Sequence, residues 1–84
     1  MTRLTDLINI GTGMEKRLQD VGINTAEELM EIGSKDAFAR LKTNDPRVCA
    51  VHLYTLEGAI TDTKYNLLPE AVQRDLRAFS DKLK

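Results

Sequence analysis

The stretch Leu7-Ile8-Asn9-Ile10-Gly11-Thr12-Gly13-Met14-Glu15-Lys16-Arg17-Leu18-Gln19-Asp20-Val21-Gly22 decides the fold. Leu7, Ile10, Leu18 and Val21 recur at helical spacings on either side of two glycines. Two short helices can therefore turn an apolar face inward. Gly11 and Gly13 admit positive φ without a Cβ clash, which a very short helix–helix turn requires. The expected unit is a helix-hairpin-helix, with residues 9–13 as the hairpin. Past the turn, the first N–H groups of the helix carrying Leu18 lack intrahelical acceptors and sit at the positive end of the helix dipole. A phosphate placed there gains hydrogen bonds and a favourable dipole. Lys16 and Arg17 lie one turn further in. Gly11, Thr12, Gly13, Lys16 and Arg17 are thus the candidate nucleic-acid-binding residues. The alternative is that the glycines only make a tight corner.

Outward from this unit the chain reads as helices. A short first helix carries Leu4, Leu7 and Ile8, with Thr2 or Thr5 as its cap. A helix over 14–21 is closed by Gly22 in a left-handed cap. Thr25-Ala26-Glu27-Glu28 has the form of a capping box, and its helix turns Leu29 and Ile32 inward before Gly33. Ser34 caps a helix over 35–41 that buries Ala37, Phe38 and Leu41. Leu7-x-x-Ile10-Gly11 is echoed by Leu29-x-x-Ile32-Gly33, which duplication and shared helix-end chemistry explain equally well. Thr43-Asn44-Asp45-Pro46 is a polar break.

A helix over 47–60 is the most apolar segment. Cys49, Leu53, Leu56 and Ile60 form its stripe, and Val48, Val51 and Ala59 widen it. A helix so broadly apolar is central to a small core or shared with a partner. Gly58 costs it about 1 kcal/mol relative to alanine. A small residue there lets another helix approach closely, from the same domain or from a second copy. Residues 61–68 form a loop with one aromatic, Tyr65. Tyr54, Gly58 and Tyr65 are the candidate protein-interaction residues. Pro69 suits the first position of a last helix with Val72, Leu76, Phe79 and Leu83 on one face. The expectation is an all-α domain of five to six short helices over 1–84, without a strand.

Composition narrows the function. An 84-residue chain holds one compact core. With no tryptophan and only four Phe and Tyr in all, that core rests on Leu, Ile, Val and Ala. The formal net charge is −1, with six basic and eight acidic residues before Pro46 and six and five after it. Neither half is the basic arm of a strong non-specific nucleic-acid binder. A single cysteine excludes an intrachain disulfide and points to a reducing compartment. The N-terminus lacks the apolar run of a signal peptide, and no stretch has the length of a membrane span. The expected location is the cytoplasm.

No catalytic constellation is legible. Cys49 and His52 lie three apart on an apolar helix, without an evident orienting group or oxyanion site, so a buried thiol and a partly exposed histidine are expected. Two such ligands do not make a structural zinc site. Glu27, Glu28 and Glu31 cluster where a helix dipole favours them. Gly11-Thr12-Gly13 follows a helix rather than a strand and lacks the Gly-Lys-Ser/Thr of a phosphate-binding loop. No enzyme, cofactor, metal or small-molecule substrate is expected.

Leu7-Ile8-Asn9-Ile10-Gly11, Leu18, Val21-Gly22-Ile23, Thr25 and Glu28-Leu29 resemble the C-terminal domain of the TfoX (Sxy) family of bacterial competence regulators. Ala37-Phe38-Ala39-Arg40-Leu41-Lys42, Leu53-Tyr54-Thr55-Leu56-Glu57-Gly58-Ala59-Ile60, Lys64-Tyr65-Asn66 and Leu68-Pro69 continue the likeness across nearly the whole chain. The resemblance implies a SAM-like or helix-hairpin-helix-like fold. It also implies a role in regulation or in protein and nucleic-acid interaction. The low net charge and the wide apolar face of the 47–60 helix favour a protein partner or a homodimer, with weak DNA binding as the alternative. Family members commonly carry proline and lysine after the first glycine, where this chain has Thr12 and Gly13. Full-length members also have an N-terminal domain, whereas this chain is expected to stand as the C-terminal-type domain alone.

Overall fold

The computed structural model of the chain describes residues 1–83. Among them are a 3-10 turn at Leu4–Asp6, α1 (Thr12–Asp20), α2 (Ala26–Ile32), α3 (Ser34–Asn44), α4 (Ala50–Thr61), a second 3-10 turn at Tyr65–Leu67, and α5 (Glu70–Lys82). The all-α expectation holds. The first limb of the hairpin, however, is one 3-10 turn rather than a helix. Neither Thr2 nor Thr5 caps it; Arg3 is the flanking residue and makes no side-chain cap.

The corner after that turn differs from the expectation in its chemistry. Gly11 is the N-cap of α1 with extended backbone (φ −97°, ψ −176°), and Gly13 lies inside the helix. Positive φ falls on Asn9 instead, at 73°. Asparagine tolerates this region because its short side chain bonds locally or across the turn. The other end of α1 closes as expected on Gly22, at φ 84°. The Ile23 amide bonds the Leu18 carbonyl at 2.9 Å and the Gly22 amide bonds that of Gln19 at 3.0 Å. These two bonds make a Schellman motif, and its hydrophobic pair is the buried Leu18 and Ile23.

At the start of α2 the Glu28 amide donates to Thr25 Oγ1 at 3.1 Å, half of the expected box. The Glu28 carboxylate reaches one residue further back, to the Asn24 amide at 3.3 Å. The N-terminal segment takes part as well. The Thr2 amide donates to the Glu27 carboxylate at 2.9 and 3.2 Å, and the Ala26 amide donates to the Thr2 carbonyl at 2.9 Å. Glu27 is thus occupied in fastening the chain start to α2, and its carboxyl is held below the ordinary glutamate range by the bonds from Thr2.

Gly33, at φ 87°, ends α2 and begins α3 in one residue. The two halves of the sequence echo therefore have different backbones: Leu29-x-x-Ile32 is helical and Leu7-x-x-Ile10 is not. Ser34 is not the cap of α3. It is the first helical residue, 6% exposed, and its hydroxyl donates to Glu57 Oε1 on α4 at 2.6 Å.

The helix expected over 47–60 starts three residues later. The Arg47 amide bonds Asp45 Oδ1 at 3.0 Å and the Val48 amide bonds the Asp45 carbonyl at 3.1 Å, so residues 45–48 form a turn. Val48 reaches the core from that turn. On α4, Leu53, Leu56, Gly58 and Ala59 are buried, Ile60 is half-buried, and Val51 is 51% exposed. The apolar face is narrower than the sequence implies. Pro69 sits one place outside the last helix, as the N-cap of α5. Leu76 is buried there, and Val72, Phe79 and Leu83 pack against the core from its edge. Helices α3 and α4 lie at the centre: α3 packs on α1, α2 and α4, and α4 packs on α3, α5 and the second 3-10 turn.

Candidate functional site

Three of the five hairpin candidates, Gly13, Lys16 and Arg17, line one cleft, and Gly11 and Thr12 do not. Gly11, Thr12 and Gly13 are exposed, and no side chain caps α1. A Cβ built at Gly11 or Gly13 meets nothing within 4 Å, so the backbone there can be approached closely from outside. Beside it opens a cleft of about 270 Å³ lined by Gly13, Lys16, Arg17, Asp20, Asn44 and Asp45, among others. The cations do not stand alone. Lys16 pairs with Asp20 at 3.9 Å, Arg17 with Asp45 at 3.5 Å, and Arg3 with Glu15 at 3.6 Å.

Asp45 is the centre of this arrangement. Arg47 grips both its oxygens, Nε to Oδ1 at 3.0 Å and Nη2 to Oδ2 at 3.2 Å. Hydrogen bonds from the Arg47 side chain, then from its amide, hold the Asp45 carboxyl below the ordinary aspartate range, and Arg47 is raised in return. Asp45 and Arg47 were hidden in the sequence because a polar break with a proline reads only as a loop. That the Asp-Pro-Arg turn brings Asp45 against Arg17 of α1, with Arg47 bound to the same carboxylate, is a tertiary fact.

The interaction candidates Tyr54, Gly58 and Tyr65 are not equivalent. Gly58 is buried. A Cβ there would run into Asn9 Nδ2 and the Thr63 carbonyl, so the close approach that glycine permits is made by this chain's own hairpin corner and α4–α5 loop. Asn9 Nδ2 donates to the Thr63 carbonyl at 2.9 Å, and the Tyr65 amide donates to Asn9 Oδ1 at 3.3 Å. Tyr54 is half-buried against the core, and hydrogen bonding with it raises the Arg77 guanidinium. Tyr65 is 44% exposed, and its neighbour Leu67, which the sequence reading did not single out, is 65% exposed.

Cys49 is exposed, against the expectation of a buried thiol. It is the N-cap of α4 rather than a residue of its apolar stripe. His52 Nδ1 accepts from the Cys49 amide at 3.1 Å and stands 3.6 Å from Sγ. The pair works as a capping box in which histidine takes the usual place of glutamate. Cys-x-x-His before an apolar helix was the available signal. Among the described residues, no group of three or more His, Cys, Asp or Glu is placed to hold a metal ion. No helix there is long and apolar enough to cross a membrane.

A family model described as the TfoX C-terminal domain matches residues 1–80. The chain belongs to the TfoX C-terminal domain family. It is 35% identical over 81 residues to Protein Sxy of Escherichia coli, covering 96% of this chain and 39% of that protein. The chain therefore spans about two fifths of the length of that curated relative. Two crystal structures of an uncharacterized protein from Listeria monocytogenes, in triclinic and tetragonal forms, superpose with a TM-score of 0.94 at 41% identity. Each covers 98% of this chain, which matches 93% and 100% of theirs.

Proposed function

We propose that this TfoX C-terminal domain is a non-enzymatic, competence-regulator-like interaction module that binds a protein partner or a second copy of itself. The observation that carries the reading is the second 3-10 turn. It presents Tyr65 and Leu67 outward, 44% and 65% exposed, on a backbone already fastened by Asn9. Apolar groups on a fixed turn lose little conformational freedom when a partner covers them, which favours binding. The exposed Met30 and Val51 lie on other elements and need no such explanation. Gly58 is not part of this surface. The single free Cys49 fits a reducing compartment such as the cytoplasm. The test is sedimentation of the wild type and Leu67→Asp across a concentration series, with capture of partners by both. Concentration-dependent association, or a partner, lost in Leu67→Asp supports the reading. Identical behaviour of the two proteins overturns the placement of the surface.

A second reading, weak sequence-independent binding of nucleic acid at Gly11, Thr12, Gly13, Lys16 and Arg17, is favoured by one observation. The N-terminus of α1 is uncapped and sterically open. Contacts would be backbone N–H groups plus Lys16 and Arg17 on phosphate, so binding should weaken with salt. The carboxylates opposite Lys16 and Arg17 rank this reading second. Arg17→Glu abolishes such binding while leaving thermal stability nearly unchanged; unchanged binding would place the site elsewhere.

A further inference from the structure

We propose that Asp45 is a tethered competitor, holding Arg17 and Arg47 away from the phosphodiester backbone of a nucleic acid at the α1 cleft. The proposal rests on the second reading above and adds the group that governs it. Two guanidinium groups from separate elements, Arg17 on α1 and Arg47 in the α3–α4 turn, converge on one carboxylate. The Arg47 contact is two-pronged, Nε and Nη2 each meeting a different oxygen at 3.0 and 3.2 Å. That fork-on-oxyanion geometry is how arginine takes phosphate as well as carboxylate. The carboxylate stands at a cleft whose wall also carries Lys16 and the exposed Gly13.

The clasp is positioned to be exchanged. Arg47 is 89% exposed and Arg17 44%, and ion pairs this open to water are weak. Acidity does not release it near neutral pH, because the Arg47 contacts keep the Asp45 carboxyl ionised there. Release therefore falls to a competing anion. Lys16 and Arg17 line the cleft, and Arg47 reaches the cleft's Asp45 from the α3–α4 turn; cations on separate elements suit a run of phosphates better than one enclosed phosphate.

The experiment is fluorescence anisotropy with a labelled single-stranded and a labelled duplex oligonucleotide, at low and near-physiological salt. The proteins are the wild type, Asp45→Asn, Asp36→Asn, Arg17→Glu and Asp45→Asn/Arg17→Glu. Asn keeps the oxygen that accepts from the Arg47 amide, so the turn survives. Asp36 makes the same change of charge at the far end of α3. Asp45→Asn is expected to tighten low-salt binding about fivefold over both the wild type and Asp36→Asn. That is the size of one unit-charge repulsion at about 4 Å in water. The gain should vanish in the double variant and shrink with salt. Equal binding by Asp45→Asn and Asp36→Asn overturns the proposal. If Arg17→Glu still abolishes wild-type binding in that case, the nucleic-acid reading stands without the competitor. Absence of binding by every protein overturns both. Pyrophosphate displacing the oligonucleotide from Asp45→Asn as well, phosphate for phosphate, as unlabelled oligonucleotide would overturn the choice of a phosphodiester chain.

Discussion

Asn9 does more for this fold than either glycine that follows it. It takes the left-handed backbone, at φ 73°, and its amide spans to Thr63 and Tyr65. Asn9→Ala removes two hydrogen bonds worth about 0.5–1.5 kcal/mol each and adds a left-handed penalty of about 1 kcal/mol. A loss of about 2–4 kcal/mol in urea unfolding is expected, with Asn9→Gly losing only the hydrogen-bond part. Gly58 lies directly beneath. Alanine there gains up to about 1 kcal/mol of helix propensity, but its Cβ meets the Thr63 carbonyl, which is backbone and cannot swing away. Overpacking costs about 1–3 kcal/mol, so Gly58→Ala should destabilise on balance. A melting temperature at or above wild type would contradict the packing described. Cys49 gives a third check. An exposed N-cap thiol should react fully with a disulfide reagent in the native protein, and Cys49→Ser, a better cap, should melt no lower than wild type. Reaction only on unfolding would return the thiol to the core.

At the scale of elements, the helices from α1 onward were legible because apolar spacing and end signals agree. Thr25, Gly33 and Gly22 each mark a terminus by its own chemistry. The first limb was not legible. Leu4 and Leu7 have helical spacing, but three residues of 3-10 turn suffice to bury Leu4, and the chain then leaves to reach α1. Ser34 resembles a cap because it is a hydroxyl before a helix; only the fold shows that its hydroxyl donates to Glu57 instead. For the site, Lys16 and Arg17 could be named from sequence, and so could Asp20 one turn from Lys16; Arg17's partner Asp45, 28 residues away, appears only when α1 and α3 pack. The start of α2 carries its own expectation. Glu27 has a lowered carboxyl pKa in the folded state through its bonds from Thr2, so its contribution is present above the unfolded value, 4.5, and is lost as pH falls below it. Asp45 behaves alike below 3.8. Urea midpoints should fall as the pH drops below about 4.5, and Glu27→Gln should flatten that slope. An unchanged slope would show that the Thr2–Glu27 fastening does not form in solution.

At the scale of the molecule, the domain offers two distinct surfaces. One is the α1 cleft, where Lys16, Arg17 and Arg47 face Asp20 and Asp45. The other is the turn carrying Tyr65 and Leu67. Asn9 precedes α1 directly and fastens the second 3-10 turn to the hairpin, so both surfaces are held on one frame. A net charge of −1 and cations already partnered make the first surface quiet toward polyanions, whereas the second is apolar and fixed. Shape alone does not separate a partner from a second copy, so the deciding measurement must admit both. It is a quantitative capture in native lysate supplemented with an untagged copy of the chain, using tagged wild type, Leu67→Asp and Arg17→Glu as baits. The account predicts a protein, this chain included, that is retained by wild type and Arg17→Glu and lost from Leu67→Asp. Retention by Leu67→Asp with loss from Arg17→Glu would contradict it and make the hairpin the working surface.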